Sequence, residues 1–243
     1  ALERGLQEAL TETLEHLPIP KVMSYAGAGG YYNDVKFVRP AHRLLALHGA
    51  NVVPVTALGL AADRLTGGHR FLSHDGIPVA SADAYEETLR AEGKVIAGFA
   101  ERRAAIAAGL THAATGATVI MPEALLDEVT GLVEWPVVLM GSFEEEYLAI
   151  PGEVIRLTIR ANQKCFVTRR ADGSLSNKFI LTANIDASDG GKEIIHGNGK
   201  VVRARRSDAG HFWKPGQADV PDLDPLTASG AAFVLVRKKR LAQ

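Results

Sequence analysis

The sequence predicts an α+β fold, mixed sheets and hairpins with packed helices, and three observations carry that reading. Stretches with apolar residues three and four apart alternate with short runs of Val, Ile, Leu and Phe, the signatures of amphipathic helices and of strands. Pairs of these runs flank turn residues, Gly49-Ala50 and Asp172-Gly173, as strands of hairpins do. The 243 residues are 47% hydrophobic and 23% charged, enough for a sizeable core and too apolar for a disordered chain. No apolar run reaches about 18 residues, so no membrane-spanning helix is expected. The opening Ala-Leu-Glu-Arg lacks the basic-then-apolar pattern of a secretory signal. The single cysteine, Cys165, excludes an internal disulfide and fits a reducing cytoplasm.

In chain order, Leu2, Leu6, Leu10, Leu14 and Leu17 mark one face of a helix over 1–17, stopped by Pro18 and Pro20. The chain lacks an initial Met and opens in mid-helix, which reads as a start inside a longer protein. Gly27 to Gly30 read as a flexible connection. Residues 43–48 and 51–58 read as two strands of a hairpin, with Pro54 placing the second at an edge or bulge. Ser81 and Asp83 suit the cap of a helix over 84–92. An Ala-rich helix follows at 98–114, with Glu101, Arg102 and Arg103 on its wet side. Pro122 suits the first turn of a helix over 122–132, whose stripe is Leu125, Leu126, Val129 and Leu132. Trp135 to Leu139 read as a strand turning at Gly141-Ser142, and Pro151 opens a helix over 151–161. Strands at 164–169 and 178–185 come next. A last helix covers 190–212, where Gly197 and Gly199 each cost about 1 kcal/mol relative to Ala. Beyond Lys214 a Pro- and Asp-rich loop, the apolar run Ala231 to Val236 and the cluster Arg237 to Arg240 read as a separate tail, 214–243.

The formal net charge of −1 gives no global argument for a nucleic-acid partner, but it is unevenly spread. Residues 151–206 hold eleven Lys and Arg against five acids, a local excess of six, so the rest of the chain carries −7. On a helix Lys192, His196, Lys200 and Arg203 share one face, and so do Arg156 and Arg160 one helix earlier. Such a stripe can follow a phosphate backbone. The same count also fits a solvated basic face that balances an acidic part of the fold.

Tests for chemistry are negative. Gly67-Gly68-His69-Arg70 and Gly190-Gly191-Lys192 lack the Lys-Ser/Thr step of a phosphate loop. His74-Asp75 lies in Ser-His-Asp-Gly-Ile-Pro, which is turn chemistry. Cys165 follows Lys164, which could lower its pKa, yet its place in a strand reads as a buried thiol. No Gly-x-Ser-x-Gly elbow is present. No catalytic residue and no metal ligand are assigned.

Longer strings remain: Leu17-Pro-Ile-Pro-Lys21, Lys36-Phe-Val-Arg-Pro-Ala-His42, Gly68-His-Arg-Phe71, Leu132-Val-Glu-Trp-Pro136, Ala161-Asn-Gln-Lys-Cys-Phe166, Ala183-Asn-Ile185, and Gly197-Asn-Gly-Lys-Val-Val-Arg-Ala-Arg205 followed by Ser207-Asp-Ala209. In this order and spacing they closely resemble the β subunit of the bacterial two-subunit glycyl-tRNA synthetase. The resemblance runs over 1–213. Departures are Gly199, where the family usually has an acid, Arg206, where it has an aliphatic residue, and His211, where it has an aromatic one. The family's β subunit is much longer, with a segment before this region and phosphohydrolase-like and anticodon-binding domains after it, so the chain resembles the internal body region.

The resemblance implies a division of labour. The α subunit holds the class II active site, with its ATP and Mg, that joins glycine to tRNA. The β subunit supplies tRNA-Gly binding and completes a cytoplasmic α2β2 assembly, with no cofactor on this chain. The Lys and Arg of 151–206, among them Arg156, Arg160, Lys164, Lys192, Lys200, Arg203 and Arg205, would then neutralise phosphates near the acceptor arm. Arg39, His42, His69 and Arg70 sit in short motif loops beside strands, where side chains reach a ligand. Asn162, Gln163 and Lys164 offer donors at a helix-to-strand junction, suited to a splayed RNA end. Each has an ordinary alternative: Arg39 and Arg70 as paired surface charges, His42 as a hydrogen-bonded core residue, Asn162 as a helix C-cap. Trp135 and Pro136 are assigned to the core. Two other functions stay open: an editing-type deacylase, since the region also resembles the editing domain of the phenylalanyl-tRNA synthetase β chain, and a purely structural fragment. Replacing Lys200 and Arg203 by Glu is expected to weaken tRNA binding with the fold intact.

Overall fold

In the computed structural model, which describes residues 1–27, 30–149 and 152–212, the chain forms two compact units, Ala1–Ala97 and the part from Gly98 on. The tail read at 214–243, with its apolar run and basic cluster, lies outside the described residues.

The first unit opens with helix α1, Leu2–His16. Pro18 drives Leu17 out of helical geometry, to φ −59° and ψ 130°. The leucine face of α1 buries no residue, and Leu2 and Leu6 stay exposed. The helix is tied down instead by Gln7: Thr56 N–H donates to Gln7 Oε1 at 2.8 Å, and Gln7 Nε2 donates to Thr56 O at 2.9 Å. The glycine-rich connection read at 27–30 joins an antiparallel pair, β1 (Met23–Gly27) and β2 (Gly30–Phe37).

Seven short strands follow: β3 (Leu44–Leu45), β4 (Leu47–His48), β5 (Asn51–Val52), β6 (Thr56–Ala57), β7 (Leu60–Asp63), β8 (Leu65–Gly67) and β9 (Asp75–Pro78). The hairpin expected across Gly49-Ala50 is β4 with β5, with Gly49 at φ +56°. Pro54 falls just after it, where no ladder N–H is needed. β3 pairs parallel to β7, β6 antiparallel to β7, and β8 antiparallel to β9. Val53, Val55, Ile77, Val79, Leu89 and Ile96 are buried. The helix expected at 84–92 is a 3-10 turn (Ala82–Ala84), α2 (Tyr85–Thr88) and a π turn (Leu89–Gly93), ended by Lys94 at φ +53°.

The second unit runs α3 (Phe99–Ala113), β10 (Thr118–Val119), α4 (Glu123–Leu132), β11 (Val137–Ser142), a 3-10 turn (Glu145–Ala149), α5 (Gly152–Leu157), a π turn (Thr158–Asn162), β12 (Phe166–Arg169), β13 (Leu175–Ala183) and α6 (Lys192–Phe212). Its four-stranded sheet, in the order β10-β12-β13-β11, is antiparallel throughout. Helices cover both faces, so the period-two alternation of a strand feeds two cores. The facing pair Phe166 and Ile180 packs with Ile106 and Leu110 of α3 and Leu125, Leu126 and Val129 of α4. The next pair, Val167 and Phe179, packs with Ile155, Ile159 and Val202 on the opposite side. Each such side chain contributes about 1.5–3 kcal/mol by leaving water.

Three expectations are corrected. Gly141 is not a turn: it lies inside β11, opposite Phe179, whose ring occupies the space a side chain would need. Leu132 is 60% exposed, and Val133 is buried in its place because the chain leaves the helix there. Arg102 and Arg103 are not simply wet. Arg102 Nε donates to Thr130 O at 2.9 Å, and Arg103 pairs with Glu123 and Asp127, bracing α3 against α4. Among the described residues no helix is long and apolar enough to cross a membrane.

Candidate nucleic-acid interface

Four of the sequence strings meet at one end of the second unit's sheet. Asn184 Oδ1 accepts from the N–H groups of Glu134 at 2.7 Å and Trp135 at 2.9 Å, stitching the Val-Glu-Trp-Pro string to the end of β13. Gln163 Nε2 donates to Asn198 O at 2.7 Å and to Asn198 Oδ1 at 3.0 Å, tying the Asn-Gln-Lys string to α6. The π turn before it closes with Lys164 N–H on Arg160 O at 3.2 Å and Cys165 N–H on Ile159 O at 2.9 Å. That closure puts Lys164 at φ +54°, a left-handed cap usually given to Gly, at about 1–2 kcal/mol of strain. The Lys164 ammonium lies 2.7 Å from Glu128.

Between these strings lies a cavity of about 240 Å³. Val129 and Leu132 of α4, Leu181 of β13 and Ile194 of α6 give it apolar walls; Gln163, Thr182 and Asn198 add polar ones. Cys165 also lines it, with its thiol pushed up to about 12 by burial.

The same helix, α6, also carries a basic face, on the side away from Ile194 and Asn198. Ile195, Gly199 and Val202 turn inward, and this leaves Lys192, His196 and Lys200 exposed on successive turns. Asp189 accepts from the N–H groups of Gly191 and Glu193, each at 2.8 Å, and so caps the start of the helix. These bonds hold its carboxyl below the usual range. Arg160 and Asn162, on the π turn that packs against α6, are exposed too. Arg205 lies on α6.

Other expected cations are already engaged. Arg156 pairs with Glu153 and Arg170 with Glu145. Arg203 Nε donates to Glu144 Oε1 at 2.8 Å, which lowers the pKa of that carboxyl and raises that of the guanidinium. Glu128, Glu144 and Glu145 all lie outside 151–206, so part of the local excess is balanced within the fold. Arg203 therefore does not belong to a purely wet stripe. Its replacement by Glu would set two carboxylates together, so it is no neutral probe of binding.

In the first unit, Arg39 is exposed at the bend after β2, and His42 is exposed where a core residue was the alternative. His69 is 2% exposed, and its Nδ1 accepts from the N–H groups of Phe71 and Leu72, each at 3.2 Å. It shapes a turn rather than reaching outward. Gly68 is required there, since a Cβ would come within 2.3 Å of Ser73 Oγ and 2.8 Å of Gly93 Cα. The turn presents Arg70, whose guanidinium lies 5.6 Å from the Phe71 ring centroid, and Phe71 itself, 71% exposed. Phe71 was missed by sequence reasoning. Its signal was an aromatic beside Arg in a glycine-bracketed turn, the kind of platform on which a base or a partner side chain stacks.

Comparison with known proteins agrees with the strings. The family described as glycyl-tRNA synthetase beta subunit matches residues 1–221. The glycine–tRNA ligase beta subunit of Ralstonia nicotianae is 50% identical over 227 residues, 91% of this chain and 32% of its own length. That of Dechloromonas aromatica is 52% identical over 221 residues, 87% of this chain and 31% of its own. That of Thiobacillus denitrificans is 50% identical over 242 residues, 98% of this chain and 34% of its own. The chain spans about a third of the length of the curated relatives it matches. On this match the chain belongs to the glycyl-tRNA synthetase beta subunit family.

Proposed function

We propose that this chain is an RNA-positioning module of a glycine–tRNA ligase, acting with an α subunit that binds ATP and Mg and carries the condensation of glycine with tRNA. In this reading it is the body region of a class II synthetase β subunit. The observation that carries it is the exposed face of α6, where Lys192, His196 and Lys200 follow one another on successive turns; Arg160 and Asn162 are exposed on the π turn that packs against this helix. Side chains of this kind attract phosphates without regard to sequence. The family membership supports tRNA-Gly as that nucleic acid. A deacylase gains no support from the cavity, where Cys165 stays a thiol at neutral pH and the Lys164 ammonium pairs with Glu128.

The test is a Lys192→Glu, Lys200→Glu double variant, both positions being exposed. Filter binding of tRNA-Gly is expected to weaken while the melting temperature holds. Unchanged affinity would contradict the proposal. Release of amino acid from mischarged tRNA by the wild-type chain would favour the deacylase instead.

A further inference from the structure

We infer that the Asn198–Gly199 step inside α6 is a modification site: the Asn198 side-chain amide is lost through a succinimide when the helix opens there, and the closed helix holds the reaction back.

The chemistry starts from the sequence. Asparagine stands at 33, 51, 162, 177, 184 and 198, and only Asn198 is followed by glycine. In an open chain the backbone nitrogen after an asparagine attacks its Cγ. A glycine at that place has no Cβ to hinder the approach and the widest choice of φ and ψ in which to make it. The N–Cγ bond forms and the Cγ–Nδ2 bond breaks. The N–H proton passes through solvent to the departing nitrogen, which leaves as ammonia. Water then opens the ring at either carbonyl, giving aspartate or isoaspartate. Nothing is oxidised or reduced.

The fold restrains both partners of that attack. Gly199 is buried within the helix Lys192–Phe212, so its N–H is taken by the carbonyl four residues back. The Asn198 amide is fixed at both ends: Nδ2 donates to Ile194 O at 2.9 Å, and Oδ1 accepts from Gln163 Nε2 at 3.0 Å. Gln163 Nε2 also donates to Asn198 O at 2.7 Å. All of these bonds must let go before the nitrogen can reach Cγ.

The same few residues make that opening easier here than elsewhere in the helix. Gly197 and Gly199 flank Asn198, and each weakens a helix by about 0.5–1 kcal/mol relative to Ala. Gly197 is exposed and a Cβ there would meet nothing within 4 Å, so no packing offsets its cost. The product does not return to the same fit. The aspartate form has no N–H for Ile194 O and sets a carboxylate beside that carbonyl. The isoaspartate form adds a backbone carbon between the inward-facing Ile195 and Val202, which breaks their register on the core.

The test follows deamidation of the full chain at pH 8 by peptide-mapping mass spectrometry, in unfolding urea and in urea below the unfolding transition. In unfolding urea Asn198 should react faster than the other asparagines. Below the transition it should react measurably, but about tenfold or more slowly. Gly197→Ala keeps the Asn–Gly step and steadies the helix. It should slow the reaction below the transition about two- to fivefold and leave the rate in unfolding urea unchanged. Gly199→Ala should slow it under both conditions; its Cβ would meet Arg203 Nη1 at 3.2 Å, the yielding end of a flexible side chain, so the variant folds. Another asparagine reacting faster in unfolding urea would overturn the site. Equal rates in the two conditions, no reaction below the transition, or a rate there indifferent to Gly197→Ala would overturn the gating by α6.

Discussion

Replacing Gly141 by Ala should destabilise the protein, although sequence reasoning placed this glycine in a turn. Gly141 faces Phe179 across the β11–β13 ladder, and a Cβ would lie 2.5 Å from Phe179 Cζ, 2.9 Å from Cε2 and 3.0 Å from Cε1. Carbon atoms settle at about 3.5–4.0 Å, so the ring must retreat by about 1 Å. Phe179 is 0% exposed and packed against Ile155, Ile159 and Val202, which leaves little room. Overpacking of this kind costs about 1–3 kcal/mol. The lower chain entropy of Ala returns up to about 1 kcal/mol. The net loss, about 1–2 kcal/mol, corresponds to a fall of about 2–8 °C for a unit of this size. Calorimetry of Gly141→Ala, Phe179→Leu and the double variant is the assay. The Gly141→Ala penalty should vanish in the Phe179→Leu background, as coupled neighbours do. A glycine variant that melts at or above wild type, or penalties that simply add, would refute the register and the packing described for this strand pair.

Gly197 should behave in the opposite way. It lies within α6, and an alanine Cβ at this position would meet nothing within 4 Å, so Gly197→Ala should stabilise by about 0.5–1 kcal/mol in urea denaturation. The Asp189 carboxyl is held below its ordinary 3.8 by the N–H groups of Glu193 and Gly191. A depressed folded-state value means that its contribution is present above 3.8 and fades as pH falls through the folded value. Acid unfolding of Asp189→Asn should therefore lose part of its pH dependence below about pH 4. Cys165, buried with its thiol pushed up to about 12, should resist iodoacetamide at pH 8 in the native chain and react promptly in denaturant, as read by mass spectrometry.

Legibility in the sequence followed the range of the interaction. The last helix, read at 190–212, is Lys192–Phe212, since its pattern and its Gly190-Gly191 entry are local. The hairpin at Asp172-Gly173 was equally plain: Gly173 takes φ +82° and Asp172 binds the Ser174 N–H at 2.9 Å. Gly141 was misread because its reason, the Phe179 ring, sits on a strand far along the chain. Arg203 was misread for the same cause, because Glu144 is distant in sequence and adjacent in space. His69 carried the right motif and the wrong role, since only the fold shows its ring turned inward to hold Phe71 and Leu72. That Gln163 turns its amide nitrogen to Asn198, on another helix, is a long-range contact that no spacing rule encodes.

The central claim is that the exposed face of α6 meets RNA phosphates. Its most direct test is the salt dependence of tRNA-Gly binding, measured for the wild-type chain and for the Lys192→Glu, Lys200→Glu variant. Each phosphate neutralised contributes about 0.7–0.9 to the slope of log K against log salt. The wild type should show a steep negative slope, and the variant one shallower by about 1.4–1.8, the share of two contacts. A flat wild-type slope, or identical slopes for the two chains, would contradict the claim.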